Sequence, residues 1–190
     1  MPTTTRQTTP RPTFKINGHV YHLGGLCDLH IWYNDALVMS NTLRIRSHWM
    51  NAKQIQAEFI SLLNHAGVNN AFRYQFWNQG TRRISRNIAD LSGSIDCLVY
   101  FKVRSEQPYR WGVTANRIDE LKQSGRKWVL VLLYESPRTG YFITAKDVEH
   151  YLSIWPLGND GDYKVGPGSY LKFNKPFCSF PEFLGSLLNL

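Results

Sequence analysis

The chain has 190 residues, of which 43% are hydrophobic and 19% are charged. This composition suits a domain with a substantial core and excludes an intrinsically disordered chain. The 22 lysines and arginines exceed the 14 aspartates and glutamates, and the formal net charge of +8 favours polyanionic partners, nucleic acid before an anionic membrane. No apolar run approaches the roughly 20 residues of a membrane-spanning helix, so we expect no membrane protein.

The N-terminus and the cysteines bear on the compartment. Residues 1–12 lack the apolar stretch of a secretory signal, and their Thr, Arg and Pro content indicates a flexible, weakly basic arm. The three cysteines, Cys27, Cys97 and Cys178, are widely spaced and odd in number. This pattern argues against a disulfide framework and predicts buried thiols in a reducing, cytoplasmic compartment.

Residues 13–50 are expected to form a β-meander, because three short turn signals separate β-prone runs. These turns are Asn17-Gly18, Gly24-Gly25 and Asn34-Asp35. The same segment carries His19, His22, Cys27 and His30 at spacings that superficially suit zinc. A hairpin that turns at Gly24-Gly25 would place these side chains in two pairs on opposite faces, so we do not expect them to share a metal.

A helix is predicted from Asn51, because Asn51 and Gln54 form a capping-box pair. Gly67 is expected to end it. The apolar residues of the segment recur on one helical face, namely Ile55, Phe59, Leu62, Leu63 and Ala66. The strand Ala71–Trp77 should follow, and then a basic loop.

Downstream, strands and helices are predicted to alternate. The predicted strands are Ile95–Val103, Tyr109–Val113, Trp128–Tyr134 and Tyr141–Ile143, with Trp128–Tyr134 at the centre of the sheet. Helices should begin after the N-cap residues Thr114, Thr144 and Ser179, with ends predicted for the first two at Gly125 and near Trp155. Gly158–Gly168 is expected to be a polar loop.

Together these elements predict a mixed α/β fold with a central mixed sheet, in which residues 13–190 form a single domain. Within it, residues 13–50 are the meander, residues 51–155 the core, and residues 156–190 a loop and a C-terminal helix.

From Asn51 onward the predicted order is helix, strand, strand, strand, helix, strand. This order resembles the common core of the PD-(D/E)xK nuclease superfamily over residues 51–134. The resemblance implies an Asp that opens the second core strand, a Glu or Asp two residues before a Lys on the third, and often a Glu on the first helix. Asp96 matches the first position and Glu58 the helical one. The predicted third strand, Tyr109–Val113, contains no acidic residue and no lysine.

The resemblance implies catalysis with Mg²⁺, which Asp96 and Glu58 would ligate while Lys102 helps to position the attacking water. The alternative is that Asp96 caps a strand end or pairs with a nearby arginine. Downstream, Asp162-Tyr163-Lys164 follows Asp160 in a Gly-rich segment, where a solvated turn is the expected structure. The alternative is that the pair of carboxylates there binds a divalent cation.

Three arginines within five residues suggest a phosphate-binding loop at Gly80–Asn87, since guanidinium forks suit phosphate oxygens. The alternative is a solvated basic loop without a ligand. Trp77 and Tyr74 lie close enough in sequence to add a stacking surface. The predicted nucleic-acid-binding residues are Arg82, Arg83, Arg86, Arg73, Trp77, Arg44, Arg46 and Arg110.

The sequence leaves several functions open. The first is a DNA-binding protein with a nuclease-like core that acts as a Mg²⁺-dependent endonuclease of restriction type. The second is a non-catalytic recognition module for DNA or RNA, favoured by the missing third-strand motif and by aromatic residues that can stack on an exposed base. A protein-interaction domain is the third. DNA is expected before RNA, and the sequence leaves the oligomeric state open, with a homodimer allowed.

Overall fold

The computed structural model describes residues 13–16, 19–22, 50–78, 84–166 and 176–190, with the backbone alone for residues 13–16, 19–22 and 84. The chain divides into two compact units, Met1–Arg46 and Ser47–Leu190. In the first unit, β1 (Thr13–Ile16) and β2 (His19–His22) form an antiparallel hairpin with Ile16 opposite His19. The predicted first hairpin of the meander is therefore confirmed, and the rest of the meander lies outside the described residues.

The second unit contains four helices and eight strands in its described residues. In chain order they are α1 (Ala52–Asn70), β3 (Phe72–Asn78), β4 (Ile84–Gly93), β5 (Cys97–Arg104), β6 (Trp111–Thr114), α2 (Ala115–Gln123), β7 (Trp128–Tyr134), β8 (Gly140–Thr144), α3 (Ala145–Tyr151), β9 (Asp162–Val165), β10 (Pro176–Phe177) and α4 (Phe180–Leu188).

Six of these strands form one mixed sheet in the order β10-β8-β7-β5-β4-β3. Neighbouring strands are antiparallel, except that β5 and β7 run parallel. A parallel pair needs a crossover, and here the crossover carries β6 and α2. β6 and β9 pair with each other as a separate antiparallel ribbon. The predicted mixed α/β fold is confirmed.

Helix α1 forms where its capping box predicts. The Asn51 side chain accepts from the backbone N–H groups of Lys53 and Gln54, and the Gln54 side chain accepts from the Asn51 N–H at 2.9 Å. The expectation that Gly67 ends the helix is wrong, because α1 continues to Asn70. A Cβ at Gly67 would lie 2.5 Å from the Phe72 carbonyl oxygen, so this glycine allows β3 to pack closely against the helix.

The sheet is covered on both faces. Helices α1 and α4 pack on one face, where the Phe59 ring lies 5.5 Å from that of Phe101 and 5.3 Å from that of Phe183. Helices α2 and α3 and the β6–β9 ribbon pack on the other face around the buried Trp111. Six consecutive residues of β7 are buried, which confirms its predicted central position.

Two expected loops contain strands. The basic loop after β3 gives way to the ten-residue strand β4, which pairs with both β3 and β5. The polar loop Gly158–Gly168 contains β9, so Asp162-Tyr163-Lys164 lies on a strand and not in a solvated turn. Polar residues at the start of β4 obscure its alternation, and backbone pairing with β3 and β5 on both sides stabilises it. The Gly-rich surroundings of β9 favour a loop, but pairing with the distant β6 stabilises a strand.

The remaining helix caps follow the sequence closely. The Thr144 and Ser179 hydroxyl groups accept from the backbone N–H groups of Asp147 and Glu182, at 3.3 and 3.4 Å. Thr114 is the N-cap of α2 but makes no side-chain capping bond. Helix α3 ends at Tyr151, earlier than its predicted end near Trp155.

The cysteines differ from one another. Cys97 is a free, buried thiol, and burial raises its pKa to about 12. Cys178 is disulfide-bonded, so the expected thiol is confirmed for Cys97 only. Cysteine usage therefore gives no support to the predicted reducing compartment. Among the described residues, no helix is long and apolar enough to cross a membrane.

Candidate nucleic-acid interface

The three predicted catalytic residues do not come together. Asp96 precedes the first residue of β5, whereas Lys102 lies near its last, and six residues of strand separate them by about 20 Å. Glu58 lies near the N-terminal end of α1, about 18 Å of helix rise from Asn70. The Asn70 end adjoins the turn before Asp96, because the Ser94 hydroxyl donates to the Asn70 carbonyl.

Asp96 pairs instead with Arg126, which confirms the alternative given by the sequence. Its Oδ1 lies 2.5 Å from Nη2 of Arg126, whose Nη1 contacts Oδ1 of Asp90 at 2.8 Å. Burial opposes the charge of Arg126, but hydrogen bonds with Asp96 and Asp90 outweigh it and raise the pKa of this guanidinium. Within the described part of the chain, no three His, Cys, Asp or Glu side chains are grouped so that they could hold a metal ion.

The sequence did not predict β4, and counting this strand changes which residues correspond to the positions of the nuclease core. The order helix, strand, strand, strand, helix, strand is made by α1, β3, β4, β5, α2 and β7, with β6 between β5 and α2. The second strand then opens with Ile84-Ser85-Arg86-Asn87, which contains no aspartate. On β5 the position two residues before Lys102 is Tyr100, which is fully buried. Glu58 and Lys102 keep their implied places, but no Asp opens the second strand and no carboxylate lies two residues before Lys102; Asp90, further along β4, pairs with Arg126.

Basic side chains gather at the opposite end of the sheet from Arg126, where the parallel strands β5 and β7 terminate. Ligands of open α/β sheets typically bind at the carboxyl ends of such strands. We call this end the basic edge, and its members are Lys53, Arg86, Lys102, Arg104, Arg110, Arg138 and Lys164. The acidic residues placed there are fewer, namely Glu106, Glu135, Asp160 and Asp162.

A cleft of about 330 Å³ lies at this edge, between the end of β5 and the β6–β9 ribbon. It is lined by Lys102, Val103, Arg104, Arg110, Trp111, Gly112, Asp160, Asp162 and Lys164. Lys164 pairs with Asp160, and this hydrogen bond, together with the Asp162 N–H, lowers the pKa of the Asp160 carboxyl. A Cβ at Gly112 would overlap the Asp162 carboxylate, so the glycine makes room for this side chain.

A second, open groove of about 700 Å³ lies on the opposite face of the sheet, between α1 and strands β4 and β5. Lys53, Arg86 and Lys102 supply its basic groups, and Phe101 and Val103 are among its apolar residues. The Gln56 side chain donates to the Arg86 carbonyl at 3.0 Å and fixes α1 to the start of β4. Lys102 and Val103 line both the cleft and the groove, because they lie near the end of β5, which both cavities reach.

Aromatic rings continue the basic edge on the cleft side. The Tyr109 and Tyr134 ring centroids are 5.1 Å apart, and those of Tyr134 and Tyr141 are 5.8 Å apart. All three rings are half-buried and border Trp111, which is 1% exposed and donates through Nε1 to the Leu133 carbonyl at 3.0 Å. We call Tyr109, Tyr134 and Tyr141 the tyrosine group. Partial burial raises the pKa of Tyr141.

The structure places the predicted nucleic-acid-binding residues in different parts of the protein. Arg86 and Arg110 belong to the basic edge. Arg73 lies opposite Ser92, toward the Arg126 end of the sheet. Trp77 is 7% exposed and packs in the core with Ile88, so it offers no stacking surface. Arg44, Arg46, Arg82 and Arg83 lie outside the described residues.

The prediction included Arg86, Lys102 and Arg110 but missed the other basic residues of the edge and the tyrosine group. Lys53 and Arg138 are isolated charges in the sequence and carry no local signal, whereas Arg104 shares a strand face with Lys102 two residues earlier. The alternating Asp162, Tyr163, Lys164 and Val165 could have indicated a strand that presents its charges on one side. Comparison with models of known protein families and with curated proteins found no match.

Proposed function

We propose that this protein binds nucleic acid through the basic edge. The observation that carries the proposal is the position of Lys102, which lines both the cleft and the groove. Basic groups therefore continue around the strand ends from one face of the sheet to the other. Phosphate contacts from lysine and arginine supply most of the affinity in such interfaces, and the net charge of +8 acts in the same direction.

The proposed function is binding, and it includes no cleavage by the predicted catalytic residues Asp96, Glu58 and Lys102. Asp96 is held by Arg126 at the far end of the sheet, and Tyr100 occupies the position where the resemblance implies a carboxylate. Mg²⁺ held by Asp96 and Glu58 is therefore not part of the proposed function. We propose that the chain resembles the nuclease core only in the order of its helices and strands.

DNA is the partner proposed first, and the test uses duplex DNA and the dependence of affinity on salt. Each phosphate contact that is lost lowers the slope of log affinity against log salt by about 0.9 for a duplex. A variant with Lys102→Ala, Arg104→Ala and Arg110→Ala should bind more weakly, with a slope shallower by about two to three. Fluorescence anisotropy over a series of salt concentrations measures both quantities.

A matched control removes the same charge from the other end of the sheet. Arg73→Ala, Lys122→Ala and Lys127→Ala together also lower the net charge by three, and all three side chains are exposed. We expect this variant to keep the parent slope apart from a small general effect of charge. If the two variants weaken binding equally, the affinity comes from overall charge and the basic edge is not the interface.

A further inference from the structure

We propose that the basic edge binds unpaired nucleotides of a single strand, with phosphates on Lys102 and Arg104 and a base stacked on the tyrosine group. This inference rests on the proposed function and adds to it the type of strand and a role for the aromatic rings. No prediction from the sequence included these tyrosines.

The sheet register places cations and rings side by side. Arg104 lies directly opposite Tyr134 on the parallel strand, while Leu132 lies opposite both Lys102 and Tyr141. Residues directly opposite each other share a face of the sheet, with neighbouring strands about 5 Å apart. The charges at the end of β5 and the rings of β7 and β8 therefore form one continuous surface.

The tyrosine group has a rigid foundation. Trp111 is buried and held by its bond to the Leu133 carbonyl, and the Tyr109 ring lies over it at 6.2 Å between centroids. The Tyr109 hydroxyl donates to Glu135, which adds a second restraint on this ring. Rings that are fixed before binding lose little conformational entropy when a ligand arrives, which favours stacking.

The rings are what distinguish a single strand from a duplex. Phosphates are available on both, so the basic residues alone would serve either. In a duplex each base face is covered by its neighbours, and it reaches a protein ring only after the base is unstacked. An aromatic surface beside a row of cations therefore matches the alternating bases and phosphates of an unpaired strand.

The test compares a short single strand with a strand of equal length in which some nucleotides are abasic. Both carry the same phosphates, so their difference in affinity isolates the bases. We expect the intact strand to bind tighter by about 5-fold to 150-fold for each stacked base. The measurement is fluorescence anisotropy, with DNA and RNA strands as separate arms that identify the natural source of the nucleotides.

Variants assign the effect to the rings. Tyr134→Leu should bring the ratio of intact to abasic affinity toward one, whereas Tyr134→Phe, which keeps the ring, should preserve it. Tyr163→Leu is the control, because Tyr163 is a half-buried tyrosine of β9 that packs toward the core beside Val165. It should leave the ratio unchanged.

The outcomes separate this inference from the proposed function. If the wild-type protein binds intact and abasic strands equally, or binds a duplex more tightly than a single strand, the inference is overturned, and the effect of the Lys102, Arg104 and Arg110 variant can still support the interface. If no strand and no duplex binds, both are overturned. The comparison of strands uses the wild-type protein and does not depend on the folding of any variant.

Discussion

Among the charged side chains that solvent reaches, Arg126 should make a large contribution to the free energy of unfolding. Arg126 lies just before β7, and its guanidinium contacts Asp90 on β4 and Asp96 before β5. It also donates a hydrogen bond of 3.2 Å to the Leu91 carbonyl. The change to test is Arg126→Met, which keeps the apolar stem and removes the charge. The end of β4 and the turn before β5 would lose their common partner from the start of β7.

The expected cost follows from burial. The Asp90 side chain is 12% exposed and that of Arg126 28%, while that of Asp96 is 75% exposed. Exposed pairs contribute about 0–1 kcal/mol, and breaking a buried pair costs about 3–5 kcal/mol because it leaves a charge without its partner. Asp90 would keep its hydrogen bond from the Gln75 side chain, so we expect Arg126→Met to lower the free energy of unfolding by about 2–3 kcal/mol.

Urea denaturation at neutral pH measures this change, and a double-mutant cycle divides it between the partners. Asp90→Asn combined with Arg126→Met should show a coupling energy of about 1–2 kcal/mol, whereas Asp96→Asn should cost less than about 1 kcal/mol and couple weakly. Raising the salt concentration should reduce the Asp96 effect more, because exposed charges are screened. Equal costs for Asp96→Asn and Asp90→Asn would refute the reasoning from burial.

Two further predictions concern the packing of α1 and β5. Gly67→Ala should destabilise the protein by about 1–3 kcal/mol, although alanine is the better helix former, because its Cβ would lie 2.5 Å from the Phe72 carbonyl oxygen. Thermal denaturation measures the change, and Gly185→Ala is the control because a Cβ there meets nothing within 4 Å. A gain of stability in both variants would disprove this prediction. Cys97 should resist alkylation at pH 8 until the protein unfolds, because burial raises its pKa to about 12 and keeps the thiol neutral. Peptide mass spectrometry measures the modification, and rapid labelling of Cys97 in the folded protein would contradict the structure.

The elements that the sequence predicted have their signal within a few neighbouring residues. Helix α1 combines a capping box with apolar residues on one face, and β7 is a continuous run of apolar residues. Both patterns report burial, and burial is decided mainly by side-chain chemistry. Pro137–Gly140 and Ser179 mark a turn and a helix start by local hydrogen bonding in the same way.

Strand pairing could not be predicted in this way. β4 contains Ser85, Arg86 and Asn87, which conceal its alternation, and it is a strand because β3 and β5 supply backbone partners on both sides. Once β4 is included, Asp96 lies in the turn between β4 and β5 and no longer opens the second core strand. A missed strand therefore changed the expected role of a residue outside it.

By itself the sequence determined the fold class, most helix starts, the central strand and the basic character of the surface, because these depend on composition and short-range pattern. Only the tertiary structure decided which charges act together. Lys102 and Asp96 are six residues apart yet lie at opposite ends of β5, while Lys53, Lys102 and Lys164, distant in sequence, meet at one edge. The physical reason is that an extended strand separates its own ends by about 3.3 Å per residue, whereas sheet pairing and helix packing bring distant segments within contact distance.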